Sequence, residues 1–527
     1  MKKLILLVLM MTALSSCGGS ASSNSSKQSS SSLSSITSSM SSFSSTTTSS
    51  SSSSSSITLL EDVERISPTR YEDRHSYKED VYASFPNYNE ASWNTSLKFT
   101  LSADETYYIV SDYLGADRLL NKNTLIIPAY YKGLPVEEIA QAAEGIGAFS
   151  ELTWLENVYL PHTIKRIGYG TFSLSWVKNL YIDCESLEDF NGRNWVFYPP
   201  LNDAYEGMDV YFGPNVKRIP ERLFYPNVTE PYFSPKINNV YFDKDCQLEE
   251  IGAHAFHDVT TFRSIYLPNS VKTIGDFAFY KTSIAELVLP SSLEYIGNDA
   301  FEFSKLINVK FNDKLTHIGD RAFAYTYLDG ADLSNTKLNY IEDECFAHSF
   351  IKEINLPESL KDVGQRAFLA TKLTDLFIPD NVEIIREEAF ANTLLERIYL
   401  GTSLKQIDNK AFYNTTLLVS LEVASIKLND FNNGNHIFTN AGQESGFQVY
   451  VLEGVTYLPS NMFFSTSNVE ELPNLKVLSI PSSVNHIGSN AFYYLDIDRV
   501  NYRGTIDQYN SLDYNFDNLD IGGKIYA

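Results

Sequence analysis

A phenylalanine preceded by alanine or cysteine returns every 22 or 23 residues, at Phe256, Phe279, Phe301, Phe323, Phe346, Phe368, Phe390 and Phe412. A unit this short cannot bury an apolar face alone, so such units must stack, and the core lengthens with every coil added. Residues 284–301, IAELVLPSSLEYIGNDAF, show one unit. Leu287 and Leu289 alternate with Glu286 and Val288, as in a short strand with one buried face. Pro290 ends that strand. Leu293 and Ile296 point inward, Gly297 turns the chain, and Asn298 is placed to cap a short helical turn carrying Ala300 and Phe301. Asp276, Asp320, Asp343 and Ser489 occupy the same slot in their units. The glycine before it gives way to Glu342, Arg386 and Asp408 elsewhere, so that position does not demand positive φ.

The string I-x-L-P-x-S-V/L-x-x-I-G-x-x-A-F, seen at residues 265–279 and as LSIPSSVNHIGSNAF at 478–492, resembles the BspA-like subclass of bacterial leucine-rich repeats. The resemblance runs from about residue 95 to the end, and the YKGLPV string at 131–136 and the closing residues 502–509 are similar to the edges of such arrays. It implies an α/β-type leucine-rich-repeat solenoid, mostly β and irregular, with a parallel sheet on its concave face and short helical turns elsewhere. The expected organisation is an N-terminal β cap at 91–140, repeats at 141–500 and a C-terminal cap at 501–527. Residues 58–90 show no clear periodicity. Members of the group are associated with adhesion to host matrix proteins, so the resemblance implies a binding protein, with glycan or peptide capture or a structural envelope role as the alternative.

The N-terminus sets the expected address. Lys2 and Lys3 precede an apolar run from Leu4 to Leu14, too short to span a bilayer comfortably and right for a signal-peptide core. The run closes on Leu14-Ser15-Ser16-Cys17-Gly18, which resembles a bacterial lipobox: residues 1–16 are cleaved and Cys17 carries the lipid. The serine-dominated segment at 17–57 cannot bury enough apolar surface to order itself and reads as a disordered tether, with a reach of roughly 35 Å. Membrane association is expected through this lipid only, on the extracellular face of a bacterial cell membrane. A formal charge of −24 argues against nucleic acid, whose phosphates need a basic footprint. Cys184, Cys246 and Cys345 lack metal-ligand spacing and cannot complete a disulfide framework, so free thiols are expected.

Two stretches break the period, and they do so alike. The steps Phe149, Phe172, Phe224, Phe256 mirror Phe390, Phe412, Phe463, Phe492, and residues 194–197 and 209–212 align with 435–438 and 448–451. A block of roughly one hundred residues was duplicated around the regular middle. Each long interval is expected to hold two strands plus an inserted loop, near 191–206 and 431–446, and long loops on a rigid scaffold are common binding elements.

Alternation also predicts which side chains leave the sheet. The second outward position reads Tyr159, Tyr181, Tyr211, Tyr241 and Tyr266 in consecutive coils, with Tyr399 further on. Tyrosine offers large contact area with a polar tip, although it also favours strands and stacks on its neighbours. Glu286, Asp332, Glu353 and Asp375 are expected to form an acidic patch on the middle coils. No catalytic motif, cofactor or metal site is expected. His254 and His257 flank the Ala255-Phe256 pair and read as surface residues of one turn. The acid pairs Asp243/Asp245 and Asp496/Asp498 lack a full set of oxygen ligands for Ca²⁺.

Overall fold

The computed structural model describes residues 97–113, 123–141, 147–190, 195–225, 234–464, 471–514 and 525–526. Cys17, the serine segment and residues 58–90 lie outside the described residues. No helix among the described residues is long and apolar enough to cross a membrane.

Two parallel ladders wind through the coils. The first is built from the alternating segments. Thr124–Ile126, Asn157–Leu160, Asn179–Ile182, Met208–Phe212 and Ile237–Phe242 form one sheet in that order. Near Tyr266 the pairing thins to a single bridge between Ser264 and Glu286. Short pairs such as Glu286–Val288 with Asn308–Lys310 follow, and a seven-stranded sheet runs from Asp375–Phe377 to Ile525–Tyr526. The second ladder consists of two-residue strands, among them Thr273–Ile274, Tyr295–Ile296 and His317–Ile318. Their isoleucines are buried, which fixes the register.

Both ends of the array are covered. Leu97–Leu101 pairs antiparallel with Tyr108–Tyr113, which runs parallel to Leu134–Ile139, and that strand receives Arg166–Ile167 of the first repeat. At the other end Thr505 and Gln508 make a reciprocal capping box on the helix Ile506–Asn510, and Tyr509 buries its ring against Tyr502.

The core is a column of phenylalanine rings. Phe256, Phe279, Phe301 and Phe323 stack with centroids 5.3 Å apart, and the column continues through Phe346, Phe368 and Phe390 to Phe412. It has no gap at the long intervals. Phe197 packs between Phe172 and Phe224, and Phe438 packs between Phe412 and Phe463. The segments expected to be inserted loops therefore carry a core coil: Val196, Phe197, Ile437 and Phe438 are all buried. Each long interval does hold two strands, Asn179–Ile182 and Met208–Phe212 in the first, Ser420–Val423 and Phe447–Val451 in the second.

The segment around each phenylalanine is not a helical turn. Residues two before and two after the ring take positive φ in unit after unit, as at Phe277 (55°) and Lys281 (54°), Asp299 (54°) and Phe303 (58°), Arg321 (51°) and Tyr325 (56°). The alternation points every second N–H along the stack. Phe277, Phe279 and Lys281 donate to the carbonyls of Asn298, Ala300 and Glu302 in the next coil, while Ala278, Tyr280 and Thr282 close turns within their own. Left-handed backbone is costly for these residue types, and it persists because the bonds between coils require it. A hydroxyl three residues after the ring, as in Thr282, Thr326 and Thr371, donates to the phenylalanine carbonyl.

The residues expected to cap those turns bond to the neighbouring coil instead. Asp276 Oδ1 accepts the Asn298 N–H (2.8 Å), Asn298 Oδ1 the Asp320 N–H (2.8 Å), Asp320 Oδ1 the Asp343 N–H (3.1 Å), and Asp343 Oδ1 the Gln365 N–H (2.8 Å). With no helix there is no free helical N–H to cap; the nearest unpaired donor belongs to the next coil. Gly297 keeps an ordinary φ, and its use is proximity, since a Cβ there would sit 2.6 Å from the Asp276 nitrogen. Arg386 stands in the equivalent slot and reaches Asp362 with two bonds (3.1 and 2.6 Å).

A charge ladder locks the same turns. The position two before each ring reads Asp299, Arg321, Glu344, Arg366, Glu388, Lys410. Arg321 binds the buried Asp299 carboxylate in two places (2.6 and 3.0 Å), and Arg366 joins Glu344 (3.5 Å) and Glu388 (2.6 Å). Exposed ion pairs contribute little each, but slipping one coil past another by a unit would set like charges side by side.

Candidate functional site

Of the tyrosines expected to leave the sheet, Tyr159, Tyr181 and Tyr241 are half-buried on the long-strand face and Tyr266 is exposed, whereas Tyr211 is buried between its neighbours. Tyr159, Tyr181, Tyr211 and Tyr241 are direct partners in the parallel register. Their rings stack at 4.2, 4.5 and 4.9 Å with interplanar angles of 5°, 12° and 18°. The stack is tighter than an evenly exposed stripe. Tyr211 is only 4% exposed, whereas Tyr266, beside the thinned pairing, stands out at 44%. Further along, Tyr399 stacks on Phe377 at 4.6 Å. Asn157, Asn179, Asp209 and Asn239 line the adjacent row, where Asn179 bonds to Asn157 (2.9 Å) and Asn239 to Asp209 (2.7 Å). The result is a rigid aromatic strip flanked by an amide and carboxylate row.

The acidic positions do not close into one patch. Glu286, Asp332 and Glu353 are exposed, but Glu286 faces Asn308, and Glu353 faces Gly330. Asp375 is neutralised by Arg397 across the strands (2.5 Å). The tyrosine strip is therefore the denser feature of this face.

Other candidate groups are placed as follows. Of the two histidines expected at the surface, His257 is buried and His254 is half-buried: their Nδ1 atoms lie 2.9 Å apart, among rings contributed by Tyr225, Phe277 and Tyr280. Burial and the neighbouring His257 push His254 down to about 4. Neighbouring coils supply those rings, which is why the sequence of one turn did not reveal the burial. Cys184, Cys246 and Cys345 are buried free thiols, and burial raises each, Cys246 to about 12. That removes them as nucleophiles. No group of three potential ligands among the described residues could hold a metal ion. Asp243 is buried and accepts the Asp245 N–H (2.8 Å), so that pair is a turn rather than an ion cradle.

One feature escaped the sequence reading. The second ladder stops at Gln406–Ile407 and restarts at Tyr457–Leu458. In the coil between, Asp430 replaces the short strand, its Oδ1 accepting the Ser460 N–H (2.8 Å). A polar cleft of about 400 Å³ opens there, lined by Gln406, Asp408, Asn429, Asp430, Phe431 and Asn432 among others. The first half repeats the arrangement, with Asp189 accepting the Glu221 N–H (2.7 Å). The signal is a shared string: residues 187–197 read LEDFNGRNWVF and residues 428–438 read LNDFNNGNHIF.

No curated protein matches the chain. Among solved structures it is similar to a leucine-rich repeat protein from Bacteroides ovatus, at 19% identity over 80% of this chain and 98% of that one, with a TM-score of 0.43. A leucine rich cell surface protein from Faecalibacterium prausnitzii matches at 18% identity over 79% and 96%, with a TM-score of 0.29. The pneumococcal vaccine antigen PcpA matches at 16% identity over 82% and 98%, with a TM-score of 0.30. The family model described as BspA type Leucine rich repeat region matches residues 145–227, 231–350, 327–443 and 435–520. With that model spanning most of the described coils, the chain belongs to the BspA-type leucine-rich repeat family.

Proposed function

We propose that this protein is displayed on a bacterial cell surface, held by lipid on Cys17, and binds macromolecules through its long-strand face. The partner class is protein, with host surface or matrix proteins the foremost candidates. The carrying observation is the stack of Tyr159, Tyr181, Tyr211 and Tyr241, in register on four paired strands. A stack held by its own neighbours loses little side-chain entropy on binding, and tyrosine combines contact area with a polar tip. Tyrosines that a partner covers are frequent anchors of protein interfaces, and Tyr159, Tyr181 and Tyr241 keep part of their surface open for that. The array supplies a platform and no catalytic group is assigned.

The test is binding of the full chain to arrays of matrix proteins and glycans. Saturable binding to a protein, weakened about tenfold or more by Tyr181→Ala with Tyr241→Ala and with melting behaviour retained, supports the strip. Binding that ignores both substitutions removes it as the site. Binding confined to small glycans favours capture over adhesion. Release of the protein from cells by Cys17→Ala tests the anchor.

A further inference from the structure

The long-strand face is not the densest exposed aromatic surface. On the coils of Phe279 to Phe346, the position two past the core ring reads Lys281, Phe303, Tyr325, His348. The position four past it reads, one coil later, Lys305, Tyr327, Phe350, Lys372. Phe303 stacks on Tyr325 and Tyr325 on His348, each at 4.6 Å, while Tyr327 stacks on Phe350 at 5.4 Å. Phe303 is 41% exposed, Tyr325 42%, Tyr327 52% and Phe350 48%, and Ile307 beside them 46%. Scattered exposed apolar residues need no account, but large ones adjacent on three successive coils form a patch of the kind that marks an interaction site.

In a chain of net charge −24, the patch is bounded by Lys281, Lys305 and Lys372, none of which makes an ion pair among the described residues. The neighbouring Lys352, by contrast, is satisfied by Asp329 at 2.6 Å. Lys281 lies 5.8 Å from the Phe303 centroid and 5.0 Å from that of Tyr280, so its charge sits at the end of the ring row.

We propose that this ridge docks an acidic peptide segment carrying apolar side chains, contributed by another protein. Near-parallel stacking, with interplanar angles of 14°, 11° and 8°, hides the ring faces and turns their edges outward. An aromatic edge carries the positive end of the ring quadrupole, so edges and ammonium groups together favour carboxylates. The same geometry disfavours a sugar or a nucleobase, which would need open ring faces. Phe303, Tyr327, Phe350 and Ile307 supply the apolar area that a polyanion alone would leave uncovered. From Lys281 to Lys372 the ridge spans four coil steps, roughly 19 Å, the length of about six extended residues. The ridge is independent of the tyrosine strip, and its failure would not touch that reading.

The experiment titrates the full chain with three labelled polymers: a random Glu/Tyr copolymer peptide, a Lys/Tyr copolymer peptide and polygalacturonate. The expected result is saturable, salt-sensitive binding of the Glu/Tyr peptide alone. Tyr327→Ser with Phe350→Ser should weaken it about tenfold or more, and Lys305→Glu with Lys372→Glu should do the same while flattening the salt dependence. Both pairs are exposed, so melting should be unchanged, and Tyr181→Ala should leave this binding intact. Equal binding of polygalacturonate, indifference to the aromatic substitutions, or self-association of the chain through the ridge would each overturn the proposal, as would no binding.

Discussion

Replacing Phe323 by alanine tests the physical basis of the whole array. The ring is fully buried, stacked on Phe301 at 5.3 Å and Phe346 at 5.6 Å, with Phe311 edge-on at 5.5 Å. A phenylalanine that buries about 150–200 Å² contributes roughly 4–5 kcal/mol at 25 cal/mol per Å², as an upper figure. The alanine also leaves a cavity that the rigid coils on either side cannot fill, while the denatured chain already hides part of the ring. The expected loss is therefore about 3–5 kcal/mol. A long array need not unfold as one unit, so a single melting midpoint is not sufficient. Amide exchange followed by mass spectrometry should show faster opening of the coils from Phe301 to Phe346 than of those near Phe412. Phe323→Leu, which keeps most of the volume, should cost well under half as much. A loss below about 1 kcal/mol with unchanged exchange would mean that the rings do not hold the stack together, and the account of the fold would fall.

Three other outcomes follow from the turns. Glu302 is buried against Asp299; burial, the hydrogen bond to Asp299 and its charge raise Glu302 to about 7, above an ordinary value of 4.5. The folded state thus holds this proton more tightly, so its contribution is complete below about pH 4.5 and is lost as pH rises through 7; Glu302→Gln should flatten that part of the stability profile and stabilise the protein at pH 8 by on the order of 1 kcal/mol, read by thermal melts at pH 5 and 8. Asn298→Ala removes the acceptor for the Asp320 N–H and should cost about 1–2 kcal/mol in denaturant titration, with Asn298→Asp recovering most of it. Arg366→Glu places three acids in a row with Glu344 and Glu388 and should destabilise by about 1–2 kcal/mol, an effect that shrinks in 1 M salt, whereas a salt-independent loss would argue for packing instead.

The parts of this fold legible in the sequence are those governed by local periods. Strand residues such as Leu287 and Leu289 announce themselves because side chains alternate across a sheet, and Phe256 to Phe412 announce the stack because each coil repeats one length. Tyr159, Tyr181, Tyr211 and Tyr241 could be aligned for the same reason. Backbone conformation around the rings was illegible in the regular middle, since Phe277, Arg321 and Glu344 carry none of the glycine, asparagine or aspartate preference that marks positive φ, and at that position asparagine comes only in the last units, at Asn461 and Asn490. Contacts between coils impose it, and a single unit does not contain them. The burial of His257 escaped for the same cause. Phe197 and Phe438 were hidden differently: valine or isoleucine precedes them, so the Ala-Phe signature is absent although the ring is present.

Those two irregular coils show which interaction governs the architecture. At both, the ladder of short strands is broken, and Asp189 or Asp430 takes over a backbone bond that a strand makes elsewhere. The phenylalanine column does not break. Phe412 still donates its N–H to Ile437, and Phe172 to Val196, each at 3.0 Å, so the ring-bearing turns stay in register through the disturbance. The magnitudes explain the choice. Exchanging a few strand bonds for side-chain or solvent partners costs about 1 kcal/mol each, and a carboxylate recovers part of that. A missing ring would cost about 3–5 kcal/mol and expose the rings above and below it. Insertion is thus tolerated on the polar ladder and excluded from the column. The same rule locates the cleft beside Asp430: it opens on the side of the coil where bonds can be exchanged, because the other side holds the rings.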